Sequence, residues 1–300
     1  MFCFLGFTGC GLIDSKSSKE PAPVSTFFLD VENPTWSPDG TKILYTDNGF
    51  TSITRDLQNW TEDIDSMGVR IMDSNGKSGR KIFDFAYAEL SPNGDNILLV
   101  INYAIFKANF NGSEIDTSSF EQLTFEGASF SPEWSPDGKY LIYEQLNCAE
   151  DQLICGLWLL DLTTNTHQLI SEGATDGTWS WDNNRVLFVK NSSSGSVFYE
   201  YNLSTRSERV IHEMDGKSYN LDLSPVDDLL VFESGVRGEI RNIWKLDLVT
   251  NDLSKLTSEW TIMPDWSPDG TKIVYVAGGI WVMNSDGSNK ENIKPLPYID

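Results

Sequence analysis

Histidine is almost missing from this 300-residue chain; His167 and His212 are its two copies. A Ser-His-Asp triad or a Cys/His zinc site therefore has little to be built from. Basic residues are scarce as well, 22 lysines and arginines against 44 acids, for a net charge of −22. So acidic a surface repels phosphate backbones and anionic bilayers, which argues against nucleic acid or a membrane surface as partner. The apolar opening, residues 1–10, is far shorter than the roughly 20 residues of a membrane-spanning helix. No Gly-x-Ser-x-Gly elbow and no phosphate-cradling glycine loop occurs. An acid-only lyase or glycosidase stays open as an enzyme class, but carboxylate pairs are too plentiful here to mark one.

Cysteine is sparse, and its four copies fall into two pairs. Cys148 and Cys155 bracket a short segment between apolar, strand-like runs. The spacing suits a disulfide stapling a hairpin loop in an oxidising compartment; two buried free thiols are the alternative. Cys3 and Cys10 lie in the apolar opening, after which the chain turns polar. Phe7-Thr8-Gly9-Cys10 resembles a bacterial lipobox, with Phe7 where leucine is usual. That resemblance implies export, lipidation of Cys10, and a membrane association made only through the lipid. Residues 1–10 then read as a signal-sequence remnant and 11–24, rich in Ser, Lys and Pro, as a flexible tether. The remainder, 25–300, is one domain.

What the chain has in abundance is an internal repeat. Pro34-Thr-Trp-Ser-Pro-Asp-Gly-Thr-Lys-Ile-Leu-Tyr45 recurs as Pro132-Glu-Trp-Ser-Pro-Asp-Gly-Lys-Tyr-Leu-Ile-Tyr143 and as Pro264-Asp-Trp-Ser-Pro-Asp-Gly-Thr-Lys-Ile-Val-Tyr275. Degenerate copies stand at Leu90-Ser-Pro-Asn-Gly94, Trp179-Ser-Trp-Asp-Asn183 and Leu223-Ser-Pro-Val-Asp227. The motif serines, 37, 91, 135, 180, 224 and 267, are separated by 54, 44, 45, 44 and 43 residues. That period is one four-stranded propeller blade, and six copies predict an all-β, six-bladed β-propeller. Within each copy, Ser-Pro-Asp-Gly is a tight turn in which proline presets one φ and glycine accepts a positive one. A third strand follows, as in Gly279-Ile-Trp-Val-Met-Asn284, and then a short fourth, as in Lys255-Leu-Thr257. Ring closure is expected to pair residues near Thr26–Leu29 with the last blade.

These copies resemble the TolB-type WD40-like (PD40) repeat family over about residues 28 to 293. The resemblance implies the propeller fold and a non-catalytic part, as a binding module, a scaffold or the non-catalytic half of a peptidase, but not TolB's own role in envelope assembly. The expectation of a binding propeller that is periplasmic or held at the outer membrane comes from the lipobox-like stretch at Cys10.

In a propeller the second-to-third and interblade loops share one face. Here they vary, and the longest insertion, Thr46 to about Ser66, accounts for the 54-residue interval. A protein or peptide partner is expected on this face, with a polysaccharide as the alternative ligand. Trp60 and Trp260 have no place in the repeat and are its candidate binding anchors. Both histidines fall near outer strands, away from the axis. One repeat column, Thr35, Glu89, Glu133, Thr178, Asp222 and Asp265, should ring the channel. Two charges about 8 Å apart repel by roughly 2 kcal/mol at an effective dielectric near 20. The acids Glu89, Glu133, Asp222 and Asp265 thus need relief, from water, from raised pKa values, by capping backbone N–H groups of the neighbouring strand, or from a bound cation, for which oxygen ligands alone favour Ca²⁺.

Overall fold

The computed structural model describes residues 31–54, 60–84, 86–146, 154–235, 239–295 and 298–299. Six antiparallel four-stranded sheets follow one another along the chain, making the six blades. Their first strands are Val31–Trp36, Tyr87–Leu90, Ala128–Trp134, Thr175–Trp179, Lys217–Leu223 and Ile262–Trp266. The second strand of each blade is the most buried; Lys42–Asp47 and Tyr140–Leu146 carry nearly continuous apolar runs. Such runs fit strands packed on both faces.

The core is divided between the blades rather than lying at the centre. Six apolar clusters form, each bridging two consecutive blades, as Trp36, Ile43 and Tyr45 of blade one meet Ile262, Val274 and Val276 of blade six. Each Ser-Pro-Asp-Gly turn is tied by its own side chains. Ser37 Oγ donates to Asp39 (2.6 Å) and accepts from Lys42 N–H (2.9 Å), while Asp39 also accepts from Thr41 N–H. The Ser37 hydroxyl and the Thr41 N–H hold Asp39 below the usual carboxylate range. Ser135–Asp137, Ser180–Asp182 and Ser267–Asp269 repeat the device.

Two details depart from the sequence reading. The outermost strands are not uniformly short: Ser207–Met214 has 8 residues and Leu253–Lys255 only 3. Long outer strands form where polar residues can face water along their whole length. The last blade takes all four of its strands from residues 262–295, and Thr26–Leu29 lie outside the described residues. A closure that the repeat did not announce comes from the chain's other end. Tyr298–Ile299 runs parallel to Phe50–Thr54, which pairs in turn with Trp60–Glu62, so the blade-one insertion is itself a small three-stranded sheet.

Candidate binding site in the central channel

The first strands surround a central cavity of about 730 Å³. Five of them carry a β-bulge near their start, where the pairing register with the second strand shifts. The bulge residues Asn33, Ser131, Asp176, Asn220 and Met263 have positive φ, and the N–H groups of Asn33, Asp176, Asn220 and Met263 turn from the ladder to reach across blade boundaries. Asp176 N–H donates to Glu144 (2.8 Å), Asn220 N–H to Asp176 (2.7 Å) and Met263 N–H to Glu233 (2.9 Å). Asn33 N–H meets the Met263 thioether at 3.3 Å and so joins blade one to blade six.

One layer deeper lies the expected carboxylate column. Glu89 accepts from Trp134 N–H (3.1 Å), Glu133 from Trp179 N–H (2.9 Å), Asp222 from Trp266 N–H and Asp265 from Trp36 N–H (3.1 Å). Thr178 serves in the same column, donating to Glu133 (3.2 Å) and accepting from Leu223 N–H (3.1 Å). Each acid thus reaches the next blade and caps an N–H left over where its first strand ends. Among the described residues no group of three or more His, Cys, Asp or Glu side chains is placed to hold a metal ion. The geometry therefore engages an oxygen of each acid in interblade capping, one of the reliefs considered above.

Capping does not remove the electrostatic load. Burial pushes Glu89, Glu133 and Asp222 well above the usual carboxylate range, and their neighbours' charges add to it. Burial likewise raises Asp265 to about 7 and Glu144 to about 8. Tyr87, set among Glu89, Glu133, Asp222 and Asp265, is raised first by burial and then by those charges. Glu89 Oε2 is buried with no hydrogen-bond partner. Glu32, Glu89, Glu133, Asp176, Asp222 and Asp265 all line the cavity, and no lysine or arginine does among the described residues.

The cavity is lined at the variable-loop face by the bulge residues, while Pro92 borders it from a turn of the opposite face. Blade two joins its second and third strands by Asn102 and Tyr103 alone, both at positive φ. This leaves Tyr103 at the rim, 58% exposed and edge-on to Phe130 at 5.6 Å. Neither aromatic was singled out by the repeat. The signal that could have found Tyr103 is the loop length, since blade two has almost no loop to cover it.

Other sequence candidates take separate places. Trp60 begins its short strand in the blade-one insertion, and Trp260 precedes the first strand of blade six, so both belong to loops of the variable face. Trp260 is partly buried and packs on the cluster between blades one and six. His167 and His212 lie on outermost strands, bonded to Tyr143 Oη (2.9 Å) and Asn251 (3.0 Å), far from the cavity lining. Cys10, the tether 11–24 and Cys148 lie outside the described residues.

Comparison with known proteins adds a family and a fold. The sequence pattern of the family described as PD40, TolB beta propeller domain, matches residues 55–296. No curated protein sequence matches the chain. Among solved structures, the chain is similar to TolB from Acinetobacter baumannii (TM-score 0.62, 18% identity, 87% of this chain). It spans only 62% of that protein's length. A putative TolB from Agrobacterium tumefaciens is similar at TM-score 0.63 and 19% identity, over 80% of this chain and 87% of that one. An oligogalacturonate lyase in complex with manganese is similar at TM-score 0.58 and 16% identity, over 89% and 79%. Identities this low speak for the shared propeller alone.

Proposed function

The chain belongs to the TolB β-propeller (PD40) family, and from that premise we propose that it is a non-catalytic, exported binding propeller. Its partner is a protein that inserts a cationic segment into the channel mouth on the variable-loop face. The observation that carries this reading is a 730 Å³ cavity lined by six carboxylates, with no lysine or arginine among its described lining residues. A protonated amine or guanidinium entering it would relieve the mutual repulsion of those acids and meet the unpartnered Glu89 Oε2. Tyr103 and Phe130 at the rim offer the apolar and cation–π surface that such a side chain's stem uses. Trp60 and Trp260 stand on the same face as further anchors. Lipidation of Cys10 would hold the propeller at the envelope, with the tether giving it reach.

The catalytic alternative gains little from the cavity. Four of its carboxylates each give an oxygen to interblade capping, and the two histidines sit on the outer strands.

A photo-crosslinking residue placed at Tyr103, with a control at the exposed Asn75 in a turn on the opposite face, tests the reading in the native host. A protein adduct is expected from position 103 only. It should fall when Glu32→Gln and Asp176→Asn are combined, and when ionic strength is raised to about 0.5 M. Trp60→Ala with Trp260→Ala should weaken capture by about thirtyfold or more if these are hot spots. Equal adducts from position 75, or adducts indifferent to charge removal, would place the docking surface elsewhere. Turnover of a glycan or peptide that is lost in Glu133→Gln would replace the binding reading with an enzymatic one.

A further inference from the structure

A second concavity lies on the same face between blades four and five, about 320 Å³ in volume, and its chemistry is opposite to the channel's. Its walls are the Ser192–Gly195 turn, Gly216-Lys217, and Arg241 over Tyr219, with Glu239 beside them. We propose that this pocket binds the carboxylate of an acidic sugar, a uronate residue of a glycan, at a site separate from the channel.

The cations come first. Arg241 is fixed from two sides: Nη1 bonds buried Glu233 at 2.6 Å, and the guanidinium lies over the Tyr219 ring at 4.7 Å. Nearly half of its side chain remains exposed, so the rest of its planar fork is available and already oriented. Lys217 is exposed and has no ion pair among the described residues, uncommon company in a chain carrying twice as many acids as bases. Glu239, the acid at the edge, approaches Lys255 at 3.9 Å, which offsets part of its charge.

The hydrogen-bonding wall comes next. Ser192 N–H closes the turn onto Gly195 O (2.8 Å), Ser194 N–H bonds Ser192 Oγ (3.2 Å), and the two hydroxyls meet at 2.9 Å. The N–H and hydroxyl of Ser193 have no partner among the described residues. This wall is anchored across the blade boundary: Asn191 exchanges hydrogen bonds with the Ser218 backbone at 2.8 and 3.1 Å, and Ser196 Oγ donates to Gly216 O at 2.8 Å.

Glycine makes the space. A Cβ on Gly195 would come within 2.2 Å of Met214 O, and one on Gly235 within 2.7 Å of Glu239 O. The backbones meet too closely there for side chains, which requires glycine at both edges of the hollow. Its size sits at the small end of small-molecule sites, which suits a single sugar ring. A guanidinium fork with a nearby ammonium reads a planar carboxylate, and serine hydroxyls and backbone N–H groups read ring hydroxyls.

The test is titration of the isotope-labelled intact propeller with glucuronate, glucose and inorganic phosphate, followed by amide NMR shifts. Glucuronate should move the Ser193, Gly195 and Gly216 signals saturably, while glucose leaves them in place. Lys217→Gln, which breaks no ion pair, should raise the Kd for glucuronate by about fivefold, near 1 kcal/mol. Arg241→Gln should abolish binding, and because it unpairs Glu233 its fold is checked by the dispersion of the same spectrum. Glucose matching glucuronate would overturn the charge reading, and phosphate matching it would overturn the sugar. Absence of saturable shifts, or a Lys217→Gln protein that binds as wild type, would remove the site. Channel signals around Tyr103 report separately in the same spectra, so the outcome is independent of the protein-capture reading.

Discussion

At the scale of the residue, the channel acids show how one side chain can be electrostatically unfavourable and structurally required. Glu133 is driven toward its neutral form by burial and by the Glu89 charge, yet it caps Trp179 N–H and binds the Thr178 hydroxyl. What the fold needs from it is the acceptor oxygen, not the charge. Glu133→Ala should therefore cost about 1–3 kcal/mol, the penalty for stranding a buried N–H. Glu133→Gln, which keeps a carbonyl oxygen in place, should cost well under half of that or stabilise. Urea unfolding midpoints at neutral pH distinguish the two. Equal losses would mean that the charge itself, or a bound cation, holds the ring. Much of this was legible in advance, because a repeat column of acids one residue before the strand-closing Trp or Leu places them near the axis. That these acids cap the next blade was not, since it turns on whether an N–H of that blade falls within about 3 Å.

At the scale of the element, the blade-one insertion and the segment between Cys148 and Cys155 break the regularity of the repeat. The insertion folds on itself and accepts the chain's last strand, so it contributes to closure as well as to the variable face. No period announces a two-residue pairing across more than two hundred residues, so only three dimensions reveal it. For the other segment, the proposal is that Cys148 and Cys155 are joined in the exported protein. The closed loop is short, and its loss should cost about 2–3 kcal/mol in the chain-entropy account. Mass mapping of an unreduced digest should show the linked peptide. Two thiols open to alkylation in freshly exported protein would refute the link and favour the buried-thiol alternative.

At the scale of the whole molecule, the buried acids tie stability to pH in an unusual direction. Asp265 and Glu144 have folded-state values of about 7 and about 8, both well above what they have in an unfolded chain. A raised carboxylate value means that the folded state binds the proton more tightly. The associated stability is fully present below the unfolded value, near 4, and is lost as pH rises through 7 to 8. Melting temperature should therefore fall between pH 5 and pH 9, and the fall should flatten when Glu144→Gln and Asp265→Asn are combined. A wild-type melt that is flat or rises over that range would show that these acids are already compensated. The same ionisation makes the channel more negative, so capture of a cationic segment should tighten over the window in which the empty propeller weakens. Anchoring is the other whole-molecule proposal. Labelling with a palmitate analogue in a bacterial host should tag the protein, and Cys10→Ala should abolish the tag; labelling that survives would remove the lipid anchor.

The sequence by itself determined the blade count, the strand order within a blade, the face that varies and the column that meets the axis. Each of these follows from a local pattern repeated in phase: a turn that only certain residues can make, and an alternation that one strand can read. Tertiary structure alone decided what the column does, where the aromatic rim lies, and that a cationic pocket sits between blades four and five. Those depend on distances between residues far apart in the chain and across a blade boundary, such as Glu133 to Trp179, 46 positions on, or Lys217 and Ser193, which line one pocket. A repeat dictates that blades pack side by side, but the sub-ångström placement of one blade's N–H against the next blade's oxygen is set by packing. That placement decides whether a carboxylate of one blade reaches a backbone N–H of the next, and whether a crevice between two blades stays open.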